Sequence, residues 1–302
     1  MLETPVLFLI FNRPNTTRRV FEKIREVRPK KLFIAADGPR ENRPGEQEKC
    51  LEVRHIATNV DWNCEVQTLF RKKNLGCGIG PYTAINWFFE QVDEGIILED
   101  DILPDMSFFT FCQQLLNLYR EHQKVMMISG FNVCEKWKDD VQDYHFSYFG
   151  GVWGWASWKR AWAHYDYHLK AWANPNVKGA LLNCFPEEAR ERREKMYDTL
   201  FTEGNEDIWD LQWTFAKLLN SGLSVIPSTN LVENIGFGEG ATHTTDKGHI
   251  WANIRAHSIT FPLREPKAII RDEEYDKRHL YPQIIRKKSP FLKLLERLLT
   301  WR

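Results

Sequence analysis

The chain has 302 residues, 43% hydrophobic and 13% aromatic, enough to close a substantial core without staples. Its 41 lysines and arginines balance 41 aspartates and glutamates, so no overall field draws it to nucleic acid or another polyanion, and a charged substrate must be gripped locally. Six widely spaced cysteines without a CxxC pair suggest reduced, packed thiols and a cytoplasmic compartment. Met1-Leu2-Glu3-Thr4-Pro5 lacks the basic and apolar segments of a signal peptide, and no stretch approaches the roughly 20 apolar residues of a membrane span.

From Val6 to Ser129 short apolar runs alternate with amphipathic stretches. Val6 to Phe11 reads as a buried strand and Asn15 to Val27 as a helix burying Val20, Phe21, Ile24 and Val27. Lys31 to Ala36 is a second strand, Glu46 to Ala57 a helix, and Glu65 to Phe70 a third strand. A glycine-bearing loop, Arg71 to Gly80, precedes Pro81, which suits the first turn of a helix carrying Ala84, Ile85, Phe88, Phe89 and Val92. Gly95 to Leu98 is the fourth strand, Ser107 to Tyr119 a helix, and Val125 to Ser129 the fifth strand. This alternation predicts an α/β fold, a mostly parallel, doubly wound sheet flanked by helices.

After Gly130 the texture changes. Tyr144 to Trp172 is crowded with aromatics and interrupted by Gly150, Gly151 and Gly154. A charged helix from Pro186 to Leu200 follows, then Asn205 to Trp213, a helix to about Asn220 and a short strand near Ser224 to Pro227. The chain thus divides into residues 1–130, an aromatic-rich stretch 131–270 that completes the same domain, and a tail 271–302. Within the tail, Arg286 to Arg302 mixes leucines with six basic residues and one acid. It reads either as a basic amphipathic helix lying peripherally on the inner face of an anionic membrane or as a helix packed on the domain.

In parallel sheets ligands bind beyond the carboxyl ends of the strands. The first strand ends in Asn12-Arg13-Pro14, the second in Asp37-Gly38-Pro39, the fourth in Glu99-Asp100-Asp101 and the fifth in Ser129-Gly130. Every candidate polar group therefore lies on one edge. The acidic triplet is the most pointed of them: adjacent carboxylates repel and resist burial, so a buried strand delivering them to its tip implies a cation held there. The competing reading is of solvated loop acids favoured by the N-terminus of the next helix.

Arg13 offers a fixed positive charge with the bidentate geometry that phosphate favours. Asp37 presents two acceptors to a ribose hydroxyl or a pyrimidine NH, or else makes an Asx turn before Gly-Pro. Asn74-Leu75-Gly76-Cys77-Gly78-Ile79-Gly80 lets a ligand approach closely but has neither dinucleotide nor P-loop spacing. Glu206, Asp207 and Asp210 flank Trp209, where a partly desolvated carboxylate suits a general base, although Asp207 or Asp210 is expected to cap the helix. The tryptophans around Gly151-Val152-Trp153-Gly154-Trp155 match the CH faces of a sugar, with most rings spent on the core. His243, in a glycine-rich loop, suits a metal shell, a phosphate contact or a structural role.

Together these residues resemble the GT-A class of nucleotide-sugar glycosyltransferases, notably the inverting group typified by N-acetylglucosaminyltransferase I. The likeness is carried by Asn12-Arg13, Asp37, the strand leading into Glu99-Asp100-Asp101, Leu103-Pro104-Asp105 with Phe108 and Phe109, Gly154-Trp155 and Trp209-Asp210. The chain is more closely similar to bacterial nucleotide-diphospho-sugar transferases with WDxQW and NIGFG…ATHT segments, here Trp209 to Trp213, Asn234 to Gly238 and Ala241 to Thr244.

The resemblance implies a Rossmann-like GT-A sheet with an acceptor-side second half. It implies a UDP-sugar donor, a glycan or glycolipid acceptor, and Mn²⁺ or Mg²⁺ bridging the donor phosphates from Asp101, with His243 as a further ligand. Arg13 would contact the diphosphate and Asp37 the nucleoside; Asn12, Asn74, Gly76, Glu99, Asp100 and Trp155 would complete the donor site. Asp210 would deprotonate the acceptor hydroxyl for in-line, inverting attack. Leu211-Gln212 follows Asp210 where the animal enzymes have Asp-Asp beside the tryptophan, so Asp207 or Glu206 stands as an alternative base. A sugar nucleotidyltransferase shares sheet and metal but places a glycine-rich, lysine-bearing loop after the first strand, unlike Asn12-Arg13-Pro14. A carbohydrate-binding module would explain the tryptophans but has no use for Asp101 and Arg13.

Overall fold

The computed structural model describes residues 1–204, 207–237 and 251–285. Glu206, His243 and the tail from 286 onward lie outside the described residues. In chain order the elements are β1 (Val6–Ile10), α1 (Pro14–Val27), β2 (Lys31–Ala36), α2 (Glu46–Thr58), β3 (Glu65–Phe70) and α3 (Gly76–Gln91). Then come β4 (Glu94–Glu99), β5 (Ile102–Pro104), α4 (Met106–Leu118), β6 (Val125–Ser129), β7 (Tyr144–Ser147), β8 (Trp155–Trp158) and α5 (Lys159–Trp162). The remainder are α6 (Pro175–Leu182), α7 (Glu187–Thr202), α8 (Asp210–Leu219), β9 (Leu223–Pro227), β10 (Val232–Asn234) and α9 (Glu273–Ile285).

Eight strands form one sheet in the order β3-β2-β1-β4-β8-β6-β9-β7. β3, β2, β1 and β4 run parallel, and β6 and β9 run with them, whereas β8 and β7 are antiparallel to their neighbours. The fold is a mixed α/β architecture with a mostly parallel sheet flanked by helices. Alternation along the strands sorts side chains onto two faces. Val6, Phe8 and Ile10 of β1 join Ile96 and Leu98 of β4 under α1, α2 and α4, while Leu7, Leu9 and Ile97 pack under α3, α5 and α8. A third cluster, including Trp172, Phe185, Tyr197 and Phe215, fills the space among α6, α7 and α8.

The helices obey the same pattern. In α1 Thr17, Val20, Phe21 and Ile24 form the buried stripe expected of 3.6-residue periodicity, and Pro14 occupies the first turn, where its missing N–H costs nothing. For α3 the structure corrects the expected start. The helix begins at Gly76, so Pro81 lies inside it and removes the bond its N–H would donate one turn back. Asp37 explains the early start, because its carboxylate accepts from the Leu75 and Gly76 amides and so satisfies the helix entrance.

β5, β7 and β8 carry no clear strand signal of their own. β8 sits between β4 and β6, with Ile97 opposite Trp155 and Ser129 opposite Trp155, so the aromatic stretch supplies a central strand. Trp155 and Trp158 point to opposite faces and both are buried. Residues 102–104 pair with 232–234, a small second ribbon that ties the segment after the acidic triplet to the segment before Gly236. None of the six cysteines forms a disulfide, and among the described residues no helix is long and apolar enough to cross a membrane.

Gly95 shows how tightly β4 is held. A Cβ there would lie 2.2 Å from the ring tip of Phe88 and 3.0 Å from the Pro5 carbonyl oxygen, and Phe88 is fully buried against Phe33 and Phe89. Gly95→Ala is expected to cost about 1–3 kcal/mol in urea unfolding; a loss near zero would mean that the Phe88 ring can step aside.

Candidate active site

At the carboxyl edge of β1 to β4 opens a cavity of about 340 Å³. It gathers Arg13, Asp37, Asn74, Gly76, Glu99, Asp100, Asp101 and Asp207, residues from five separate stretches of chain, as the strand-edge rule expects. The three acids of the triplet play three different parts. Asp100, 6% exposed, turns inward and its Oδ2 accepts from the Phe11 amide at 2.9 Å, stitching the end of β4 to the end of β1. Asp101 Oδ2 accepts from Arg13 Nη1 at 2.5 Å. Glu99, the last residue of β4, lines the cavity, and its carboxylate accepts no hydrogen bond among the described residues.

The triplet is thus not a set of helix-capping loop acids. β5 intervenes before α4, and Asp105 caps that helix by accepting from the Ser107 amide at 2.9 Å. Asp101 is held in place by close approach of the backbone: Ile235 N–H donates to its carbonyl at 2.8 Å, and a Cβ on Gly236 would collide with its carboxylate at 2.2 Å. Glycine is the side chain that this contact admits at position 236.

Burial, followed by the charges of Asp101, Asp100 and Asp210, pushes the Glu99 carboxyl well above its ordinary range, with Arg13 opposing. Asp100 is driven up by burial and by Asp101, against the pull of Arg13 and the Phe11 amide. The cavity thus crowds five carboxyl groups, Asp37, Glu99, Asp100, Asp101 and Asp207, against three arginines, Arg13, Arg40 and Arg71. No group of three or more His, Cys, Asp or Glu among the described residues is arranged as a metal cage. What remains fits a hard cation held by one or two carboxylates and completed by phosphate and water, the usual manner of Mg²⁺ at nucleotides.

The Asp37 carboxylate is held by backbone amides. The expected Asx turn is corrected: the residue two on, Pro39, has no N–H, and Oδ1 instead accepts from the adjacent Gly38 amide at 3.0 Å, while Oδ2 accepts from Leu75 at 2.8 Å and the residue lines the cavity. Burial raises its pKa, offset in part by these amides and by Arg71. Asn74 donates to the Gly38 carbonyl and accepts from the Gly76 amide, so the glycine loop is pinned to the end of β2.

Three expected contacts fall elsewhere. Trp155 has no exposed surface and stacks in the core with Trp209, centroids 5.9 Å apart, so the donor contact assigned to it is corrected. Because β8 runs antiparallel, carrying its register two residues beyond the Ile97–Trp155 pair brings Trp153 level with Glu99, and Trp153 is the tryptophan on the cavity wall. Asn12 lines an adjoining cleft and donates to Glu46 at 2.9 Å. Asp210 is exposed as the first residue of α8 and does not line the cavity, though its charge reaches Glu99. The expected helix cap is also corrected: Trp209 is the N-cap and makes no side-chain bond, so neither Asp207 nor Asp210 serves in that role. Asp207 accepts from the Cys77 thiol at 3.4 Å, and that thiol is pushed up to about 11 by burial and by Asp207.

Arg40, Arg71 and Asn234 also line the cavity. Arg71 directly follows β3, so the strand-edge rule contained it; Asn234 opens the NIGFG segment without a role that the sequence itself assigns, and Arg40 carries no signal beyond lying near Asp37.

No protein-family model matches the chain, and no curated protein does. Among solved structures, crystal structures of HddC from Yersinia pseudotuberculosis, alone and complexed with GMP-PN, align with it at 10% identity. Each covers 52% of this chain and 77% of the other, with a TM-score of 0.32. A likeness that slight carries no functional argument.

A carboxyl whose pKa is raised on folding stabilises the chain below its unfolded value, and that contribution is lost as pH climbs through the folded one. Without divalent cations, the thermal midpoint is therefore expected to fall as pH rises from about 5 toward about 9, and Glu99→Gln to flatten that slope. Identical slopes in variant and parent would place Glu99 in water.

Proposed function

We propose that the chain is a metal-dependent inverting glycosyltransferase of the GT-A type, taking a UDP-sugar donor and a hydroxyl of a glycan or glycolipid acceptor. The observation that supports this most directly is the convergence on one cavity of Arg13, Asp37, the Asn74–Gly76 loop and the Glu99–Asp101 tip. A fixed cation, backbone donors and crowded carboxylates are what a nucleotide diphosphate with its divalent ion requires.

In this reading Asp101, with Glu99 beside it, holds Mn²⁺ or Mg²⁺, which when bound offsets the charge of the departing diphosphate. Arg13 now holds the Asp101 carboxylate; with donor present it would turn its guanidinium to the phosphate oxygens. Asp37 keeps the glycine loop open for the nucleoside, and Trp153 offers an indole face at the level of Glu99 for a sugar ring.

The acceptor proton goes to a carboxylate across the cavity. Asp210 is the first candidate: it opens α8 directly after the buried Trp209, and Tyr165 Oη donates to the Trp209 carbonyl at 3.1 Å, fixing that corner. Asp207, on the cavity wall, is the second.

Calorimetry with UDP in the presence and absence of Mn²⁺ tests the donor site. Asp101→Asn is expected to weaken metal-dependent binding at least about ten-fold, and UDP binding that ignores the metal would refute the assignment. In a mass-spectrometric transfer assay over a panel of nucleotide sugars, Asp210→Asn should retain UDP affinity and lose about 100-fold or more in turnover. Near-normal turnover there, with loss in Asp207→Asn, moves the base to Asp207.

A further inference from the structure

Beside the cavity opens a second cleft of about 790 Å³, and Arg13 and Arg40 line both, so the two adjoin. Four basic side chains, Arg13, Arg40, Arg43 and Lys49, face two acids, Glu46 and Glu52. Both acids are already engaged. Glu46 is 5% exposed and holds Arg40 and Asn12, which keep its pKa down in spite of its burial. Glu52 meets Arg18, which is not part of the cleft wall, at 3.4 Å.

Arg43 and Lys49, by contrast, are exposed and make no ion pair among the described residues. In a chain whose formal net charge is zero, two uncompensated cations facing one cleft form a local positive field that an oxyanion relieves; Arg13 and Arg40, at its junction with the cavity, are already set against Asp101 and Glu46. The donor's own diphosphate has its cation and backbone donors in the first cavity, so the anion that suits the second cleft belongs to the other substrate.

We propose that this cleft binds a phosphate or carboxylate group carried by the acceptor, with Arg43 and Lys49 as its principal contacts. That the bearer is an acceptor rests on the transferase reading; that the cleft binds an oxyanion does not. The acceptor is then an acidic glycan or a phosphorylated carrier, and the glycosyl hydroxyl it presents is positioned by charge as well as by shape.

The test is calorimetry on the full chain saturated with UDP and Mg²⁺. Inorganic phosphate and methyl β-glucuronide are titrated separately, with neutral methyl β-glucoside as control. At least one anionic probe should bind while the glucoside does not, and the double variant Arg43→Ala/Lys49→Ala should raise its Kd about ten-fold or more with UDP affinity unchanged. A preference for phosphate indicates a phosphorylated acceptor and a preference for the glucuronide an acidic glycan. The proposal is overturned if neither probe binds, if the double variant binds as the parent does, or if UDP displaces the probe, which would give the cleft to the donor. Should UDP itself fail to bind, the transferase reading falls, and the same titrations without UDP still decide the cleft.

Discussion

Crowding of negative charge at the tip of β4 is the constraint around which the site is arranged. Two unit charges about 4 Å apart repel by roughly 4 kcal/mol at an effective dielectric of 20, and Glu99, Asp100 and Asp101 are consecutive. The chain disperses them in three directions. Asp100 is turned back to the Phe11 amide, Asp101 is set against Arg13 with Gly236 clearing its path, and Glu99 is left facing the cavity. The first two arrangements also do architectural work, since both partners follow β1, the parallel neighbour of β4. The alignment of the two strand ends and the charge state of the site are thus one problem with one solution. Glu99 is the residue whose charge that solution does not absorb, and its burial, followed by the charges of its neighbours, raises its proton affinity.

The sheet then determines what else can reach this point. Parallel strands place the ends of β1, β2, β3 and β4 on the same edge, which accounts for Arg13, Asp37, Arg71 and the triplet. Arg54, from α2, donates to both the Asp37 and Arg71 carbonyls at 3.0 and 2.7 Å, tying two of these ends together. Antiparallel β8 contributes differently: its beginning, not its end, lies at that edge, and the glycine-bearing turn before it brings Trp153 to the wall. A single reversed strand therefore joins the polar half of the cavity to an aromatic one.

Much of this was legible because it depends on local rules. Strand ends are read from where apolar runs stop, and those of β1, β2, β3 and β6 are placed to within a residue; the polar groups just beyond them follow. The helix stripe of α1 is equally local. What the sequence hid depends on partners far along the chain. β8 is four residues long, apolar on both faces and embedded among other aromatics, so nothing in its pattern separates it from core packing; only its place between β4 and β6 makes it a strand. Trp155 is therefore core, while Trp153, two residues away and on the other side of Gly154, is the half-buried one that lines the cavity. Likewise Pro81 looked like a first-turn proline because the satisfaction of the α3 entrance by Asp37, 38 residues before Leu75, cannot be seen in the loop itself.

The two candidate bases illustrate how environment separates like residues. Asp210 stands exposed at the N-terminus of α8, where the helix dipole favours negative charge. Asp207 lies on the cavity wall, where the Cys77 thiol donates to one of its oxygens. The charge of Asp210 nevertheless reaches Glu99, where it adds to burial and to the neighbouring carboxylates in raising that group. Asp210 therefore bears on the cavity electrostatically from outside its wall, whereas Asp207 lines it directly.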